Sequence, residues 1–161
     1  MVLTGTYEHS IDAKNRLAIP APIRSQIQRS VGAVEGDAVS LYIIPGNEDA
    51  GGPCLCMYTE SAFERRAAEL DESEQDPDEV LDYETMFFSM ATRVEIDKQG
   101  RIRLPENLIS DSDLTSDVVI LGVKDHLQIR DRKTWKQYIA QRLKENPGLL
   151  RNPRRMMRRH G

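Results

Sequence analysis

The stretch IDAKNRLAIPAPI (residues 11–23) returns later in the chain as IDKQGRIRLPENL (96–108), at an offset of 85. Ile11/Ile96, Asp12/Asp97, Arg16/Arg101 and Pro20/Pro105 are identical pairs, and Leu17/Ile102 and Ile19/Leu104 are conservative ones. A second match sets LCMYTESAF (55–63) on LQIRDRKTW (127–135), at an offset of 72. The smaller offset means that the first copy carries an insertion, most of it PGNEDAGGP (45–53). The chain is therefore two copies of one small unit.

Working outward from the repeat, each copy reads as strand, tight turn, strand, short helix, hairpin and longer helix. Tyr7, His9, Ile11, Leu17 and Ile19 alternate with polar residues, as do Thr92, Val94, Ile96, Ile102 and Leu104. That period of two predicts half-buried strands on either side of the turn. Asp12 and Asp97 can accept hydrogen bonds from turn amides. Asn15 and Gly100 share one turn position, and both residue types tolerate positive φ. Further strands are predicted at SLYII (40–44), CLCMY (54–58), DVVILGV (117–123) and HLQIR (126–130). Helices follow from Thr59 to Leu70 and from Asp131, where Trp135, Ile139 and Leu143 recur four apart until Asn146-Pro147-Gly148. The fold class is mainly β with short helices (α+β). Each copy alone is too small for a comfortable core, so the copies are expected to pack as a pseudo-two-fold pair.

Charge is unevenly distributed. Residues 69–84 (ELDESEQDPDEVLDYE) hold nine of the 26 acidic residues and no basic one, leaving 17 acids against 22 basic residues elsewhere. The run reads as a solvated linker, with a mimic of phosphate charge as the alternative. The tail from Arg151 to Gly161 carries five arginines and no acid, and reads either as a solubilising end or as a nonspecific phosphate clamp. No stretch approaches the ~20 apolar residues of a membrane helix. MVLTGTYEHS lacks the features of a signal peptide, so a cytoplasmic location is expected. Cys54 and Cys56 lie too close in sequence to build a disulfide framework. With His126 they suggest a soft metal site, but the three residues fall in different copies and no further Cys or His pair completes a set, so no metal or cofactor is assigned. His9 aligns with Val94 and reads as a packed strand residue. GNEDAGG (46–52) lacks the Gly-Lys-Ser/Thr end of a phosphate loop. No nucleophile, base and acid fall at catalytic spacing, so an enzyme is not expected.

The sharpest functional signal is the turn Asp-x-x-x-Arg, present twice. Since Leu17, Ile19, Ile102 and Leu104 face in, Arg16, Arg101 and Arg103 face out, with Lys14 and Lys98 at the turn tips. Two matched basic edges suit a repetitive anionic polymer, and arginine's planar fork suits guanine edges and phosphates. The same Asp-Arg pair would also brace the turn, and spacing alone leaves both roles open.

GTYEHSIDAKNRLAIPAPIR (5–24), together with FFSMATRVEIDKQGRIRLP (87–105), resembles the MraZ family of bacterial transcriptional regulators, associated with the division and cell-wall gene cluster. The resemblance runs from about Gly5 to Ala140. It implies two AbrB-like swapped-hairpin repeats forming a pseudo-two-fold half-barrel pair, assembled as ring-like homo-oligomers on repeated promoter elements of double-stranded DNA, in the cytoplasm and nucleoid-associated. On that likeness Arg16 and Arg101 lead the DNA contacts, with Lys14 and Lys98 beside them, and the outward-facing Arg103 joins this basic edge. Asp12, Asn15, Asp97 and Gly100 are the structural turn residues. Residues 5–63 are then repeat 1, 64–90 the acidic linker and apolar helix, 91–135 repeat 2, and 136–161 the C-terminal helix and basic tail. Asn15 stands where the family usually has glycine, and the linker is acidic where relatives often carry arginines. A protein-binding module of the same fold, antitoxin-like or a scaffold, is the alternative.

Overall fold

The computed structural model describes residues 1–34, 37–46 and 51–151 of the chain. Residues 47–50 of the glycine-rich insertion and 152–161 of the basic tail lie outside these described residues. The first copy runs β1 (Thr6–Ser10), β2 (Arg16–Ala18), α1 (Ala21–Ser30), β3 (Val39–Pro45), β4 (Leu55–Thr59) and α2 (Glu60–Asp71). An additional helix, α3 (Pro77–Ser89), leads into the second copy. There the order repeats as β5 (Thr92–Ile96), β6 (Arg101–Arg103), α4 (Glu106–Asp111), β7 (Asp117–Val123), β8 (His126–Asp131) and α5 (Arg132–Glu145). The architecture is α+β. Among the described residues no helix is long and apolar enough to cross a membrane.

Six strands form one antiparallel sheet in the order β1-β7-β8-β4-β3-β5, and β2 pairs with β6 in a separate two-stranded ribbon. Exchanging each strand for its counterpart in the other copy turns this order into its own reverse, so a pseudo-two-fold lies between β4 and β8. The strands flanking each turn pair with the other copy. Tyr7 of β1 stands opposite Ile120, Val94 of β5 opposite Leu41, and Leu17 of β2 opposite Ile102. The physical reason is size: one copy has too little apolar surface to close on itself, and crossing the arms lets each complete the other's core.

The inner face of the sheet carries Leu41, Ile43, Leu55, Met57, Val118, Ile120, Leu127 and Ile129, all buried. They meet Leu17, Ile19, Ile102 and Leu104 from the ribbon, Ile23 and Ile27 from α1, and Leu108 from α4 in one continuous core. Ile23 and Ile27 are four apart and so share one helix face. Proline opens the short helices, with Pro20 and Pro105 as N-caps. The longer helices begin where side chains take up free amides: Thr59 accepts from the Ala62 amide at 3.2 Å, and Asp131 from the Thr134 amide at 3.0 Å.

On the outer face, α2 and α3 cover β4. Phe63 stacks on Tyr42 with ring centroids 4.5 Å apart, and Phe87 and Phe88 lie 5.5 and 5.0 Å from Phe63. Phe87 and Phe88 are thus the docking edge of α3. The acidic run read as a linker is helical over much of its length, ending α2 and opening α3, with Asp76 as N-cap and Asp78 and Glu79 in the first turn. Carboxylates there are favoured by the positive end of the helix dipole. His9 is half-buried in β1, and its carbonyl accepts from Arg132 Nη2 at 2.7 Å. The stripe of α5 is less covered than its spacing implied: Ile139 and Leu143 are each 41% exposed.

Leu17→Ala should lower unfolding stability in urea by about 2–5 kcal/mol, because the side chain is fully buried and a cavity would remain. Leu81→Ala, on the exposed side of α3, should stay within about 0.5 kcal/mol of the parent.

Candidate nucleic-acid interface

Both turns are built alike. Asp12 accepts from the amides of Lys14 and Arg16 at 2.9 and 2.8 Å through Oδ1, and from Arg16 Nε at 2.8 Å through Oδ2. Asp97 accepts from the amides of Gln99 and Arg101 at 2.8 and 2.9 Å, and from Arg101 Nε at 3.4 Å. Arg101 Nη2 also donates to Gln99 Oε1. Asn15 and Gly100 take φ values of 60° and 78°, as the turn chemistry predicted. These hydrogen bonds hold both carboxyls below the usual aspartate range. The amide of Arg16 acts most strongly on Asp12, and that of Arg101 on Asp97, with the guanidinium charges adding to each.

The turns also join the copies. Ile19 N donates to the carbonyl of Gly100 at 2.8 Å, and Leu104 N to the carbonyl of Asn15 at 2.8 Å. The two positive-φ residues therefore extend the β2–β6 ladder by one reciprocal bond at each end. Within the ribbon Arg16 stands opposite Arg103 and Ala18 opposite Arg101. Because Leu17 and Ile102 fill the inner face, Arg16, Arg101 and Arg103 share the outer one. Arg103, Lys14 and Lys98 are exposed, while Arg16 and Arg101 keep 30% and 29% of their side-chain surface open. The register places Lys14 beyond one end of the ribbon and Lys98 beyond the other. Three arginines from two copies thus converge on six residues of backbone.

The bracing role of the Asp-Arg pairs is plain in this geometry. Each arginine is oriented through Nε by the carboxylate four residues before it, which limits its rotamers ahead of any contact.

Arg24 is a residue the sequence reading passed over. Its Nε donates to the Ile19 carbonyl at 3.0 Å, and its guanidinium covers Gly100 so closely that a Cβ there would lie 2.6 Å from Cζ. Gly100 suits this positive φ, and a side chain there would have to displace the Arg24 guanidinium. The offset of the repeat places Ile109 at the equivalent position, so the added cation belongs to one copy. Comparing the copies residue by residue beyond Pro20 would have flagged it.

A family model described as "MraZ protein, putative antitoxin-like" matches residues 87–157. The chain is 33% identical over 132 residues to a protein of Finegoldia magna named transcriptional regulator MraZ, covering 82% of each. It is 31% identical over 141 residues to a protein of the same name from Bifidobacterium longum, covering 88% of this chain and 85% of that one.

The lowered carboxyls set the sign of a pH effect. Their contribution to stability should be complete above the unfolded aspartate value of about 3.9 and lost as pH falls through the lower folded value. Carboxyl-carbon NMR titration should find Asp12 and Asp97 below free aspartate. Asp12→Asn/Asp97→Asn should be less stable than the parent at neutral pH and show a flatter acid limb; equal acid limbs would refute the assignment.

Proposed function

The chain belongs to the MraZ family, and we propose that it is a sequence-specific transcriptional regulator that binds double-stranded DNA through the β2–β6 ribbon. One observation carries this reading: strand pairing between the copies gathers Arg16, Arg101 and Arg103 on one outward face, with a lysine beyond each end. A two-stranded ribbon fits the major groove of B-form DNA, and arginine forks suit guanine edges there. Lys14 and Lys98 are assigned to phosphates, which fix position without reading sequence. Asp12, Asn15, Asp97 and Gly100 hold the reading arginines in place and make no contact themselves. The names of the relatives support the transcriptional role.

In this proposal the interleaved copies are AbrB-like swapped-hairpin repeats, 5–63 and 91–135. The 64–90 segment and the C-terminal 136–161 segment frame them. The chain acts as a ring-like homo-oligomer, so that weak contacts multiply over promoter repeats of the division and cell-wall gene cluster. The apolar residues left open on α5, Ile139 and Leu143, support association between copies. A cytoplasmic, nucleoid-associated location follows from that role.

The test is fluorescence anisotropy against DNA from upstream of the protein's own gene, with scrambled DNA as control. Arg103→Ala should weaken specific binding by about 1–3 kcal/mol with the fold intact, since Arg103 lies outside the Asp-Arg braces. Arg16→Ala/Arg101→Ala should abolish it. The logarithm of affinity should fall with the logarithm of salt concentration, at a slope of about −0.9 per phosphate neutralised. Equal binding to scrambled DNA, with recovery of a stoichiometric protein partner, would favour the protein-binding module instead.

A further inference from the structure

Across the sheet from the arginine ribbon, the outer face of β4 borders a cavity of about 510 Å³. Cys54 and Cys56 line it, together with Tyr58, His126 and Arg130 on its floor and Met86 and Met90 on the α3 side. The two cysteines are alternate residues of an extended segment, so their side chains share a face. Their Sγ atoms are 4.0 Å apart. Both thiols are free and buried. We propose that Cys54 and Cys56 form a two-thiolate site for a soft monovalent metal ion of the copper(I) type, with the thioethers of Met86 and Met90 at its mouth.

The sulfur separation is the first argument. A disulfide needs about 2.05 Å between sulfurs, so this pair would have to close by half. Two metal–sulfur bonds of about 2.3 Å span up to about 4.6 Å, so a bent S–metal–S unit fits with the backbone where it stands. Space for the sulfurs depends on Gly46, where a Cβ would lie 2.3 Å from Cys54 Sγ and 3.0 Å from Cys56 Sγ.

Ligand chemistry is the second argument. Thiolates and thioethers select soft ions such as copper(I), and both kinds of sulfur line this cavity. Among the described residues no three His, Cys, Asp or Glu side chains meet in a metal-binding group, which disfavours zinc with its four-ligand habit. A soft ion held by two thiolates, with a thioether completing its bent coordination, needs no carboxylate or imidazole.

The charge also balances. The monovalent cation binds both sulfurs as thiolates, each thiol releases its proton to solvent, and the bound unit carries a single negative charge. Arg130, itself 4% exposed, and Arg66 lie on the same cavity and offset that charge.

Anaerobic titration of the reduced full chain with copper(I), added as its acetonitrile complex beside a chromophoric copper(I) chelator, tests this. One equivalent should be withheld from the chelator, with sulfur-to-copper charge-transfer absorption in the near ultraviolet. Cys54→Ser/Cys56→Ser should lose at least about 100-fold in affinity, and Met86→Leu/Met90→Leu, which leaves both thiols in place, about 10-fold. Circular dichroism checks that each variant keeps the parent fold. Full transfer of copper to the chelator by the folded parent, or parent-like affinity in the serine variant, would overturn the site. Parent-like affinity in the leucine variant would remove the methionines from it. DNA affinity, measured separately, does not enter any of these outcomes.

Discussion

Everything in this molecule depends on backbone pairing between its two copies. The turn carbonyls of Asn15 and Gly100 accept from Leu104 and Ile19 across the seam, and between these bonds Leu17 meets Ile102 with essentially no exposure. Neither copy could satisfy these groups alone. A buried amide without a partner costs more than a formed hydrogen bond contributes, so the seam is held by what its loss would leave unsatisfied. The six-stranded sheet repeats the arrangement at its margins, where β1 and β5 each complete the other copy's edge.

The same seam converts a local turn motif into a surface. One Asp-x-x-x-Arg turn would display a single braced arginine. Two of them, joined through antiparallel strands of three residues, bring Arg16 and Arg103 opposite each other with Arg101 close by. The aspartates preset the side chains through charge-assisted hydrogen bonds, which reduces the conformational freedom lost on any later contact. Stability and display are therefore one construction: Leu17 and Ile102 anchor the inner face, and alternation along the strand turns the arginines outward.

The opposite face of the sheet is less symmetrical. The first copy's α2 is covered by α3 through Phe63, Phe87 and Phe88. The equivalent helix α5 has no such cover among the described residues, and Ile139 and Leu143 stay partly open. Cys56 and Gln128 are register partners near the pseudo-two-fold axis, so the two copies place a thiol and an amide at equivalent points. The ribbon face keeps the identical pairs Asp12/Asp97 and Arg16/Arg101, while Arg24 and Arg103 have Ile109 and Ala18 as their counterparts.

The repeat, the alternation of apolar residues and the capping residues were enough to locate the strands and helices of both copies and the turn chemistry of Asp12, Asn15, Asp97 and Gly100. These are local properties, set by side-chain period, φ preference and hydrogen bonds within a few residues. Which strand pairs with which was not legible, because β2 alternates identically whether it meets its own neighbour or β6. Nor could spacing reveal that Arg24 packs on Gly100, or that Met86 of α3 and Met90 at its C-cap reach the cavity beside Cys54 and Cys56. Those juxtapositions join residues far apart in the chain, and only burial of the shared core decides them.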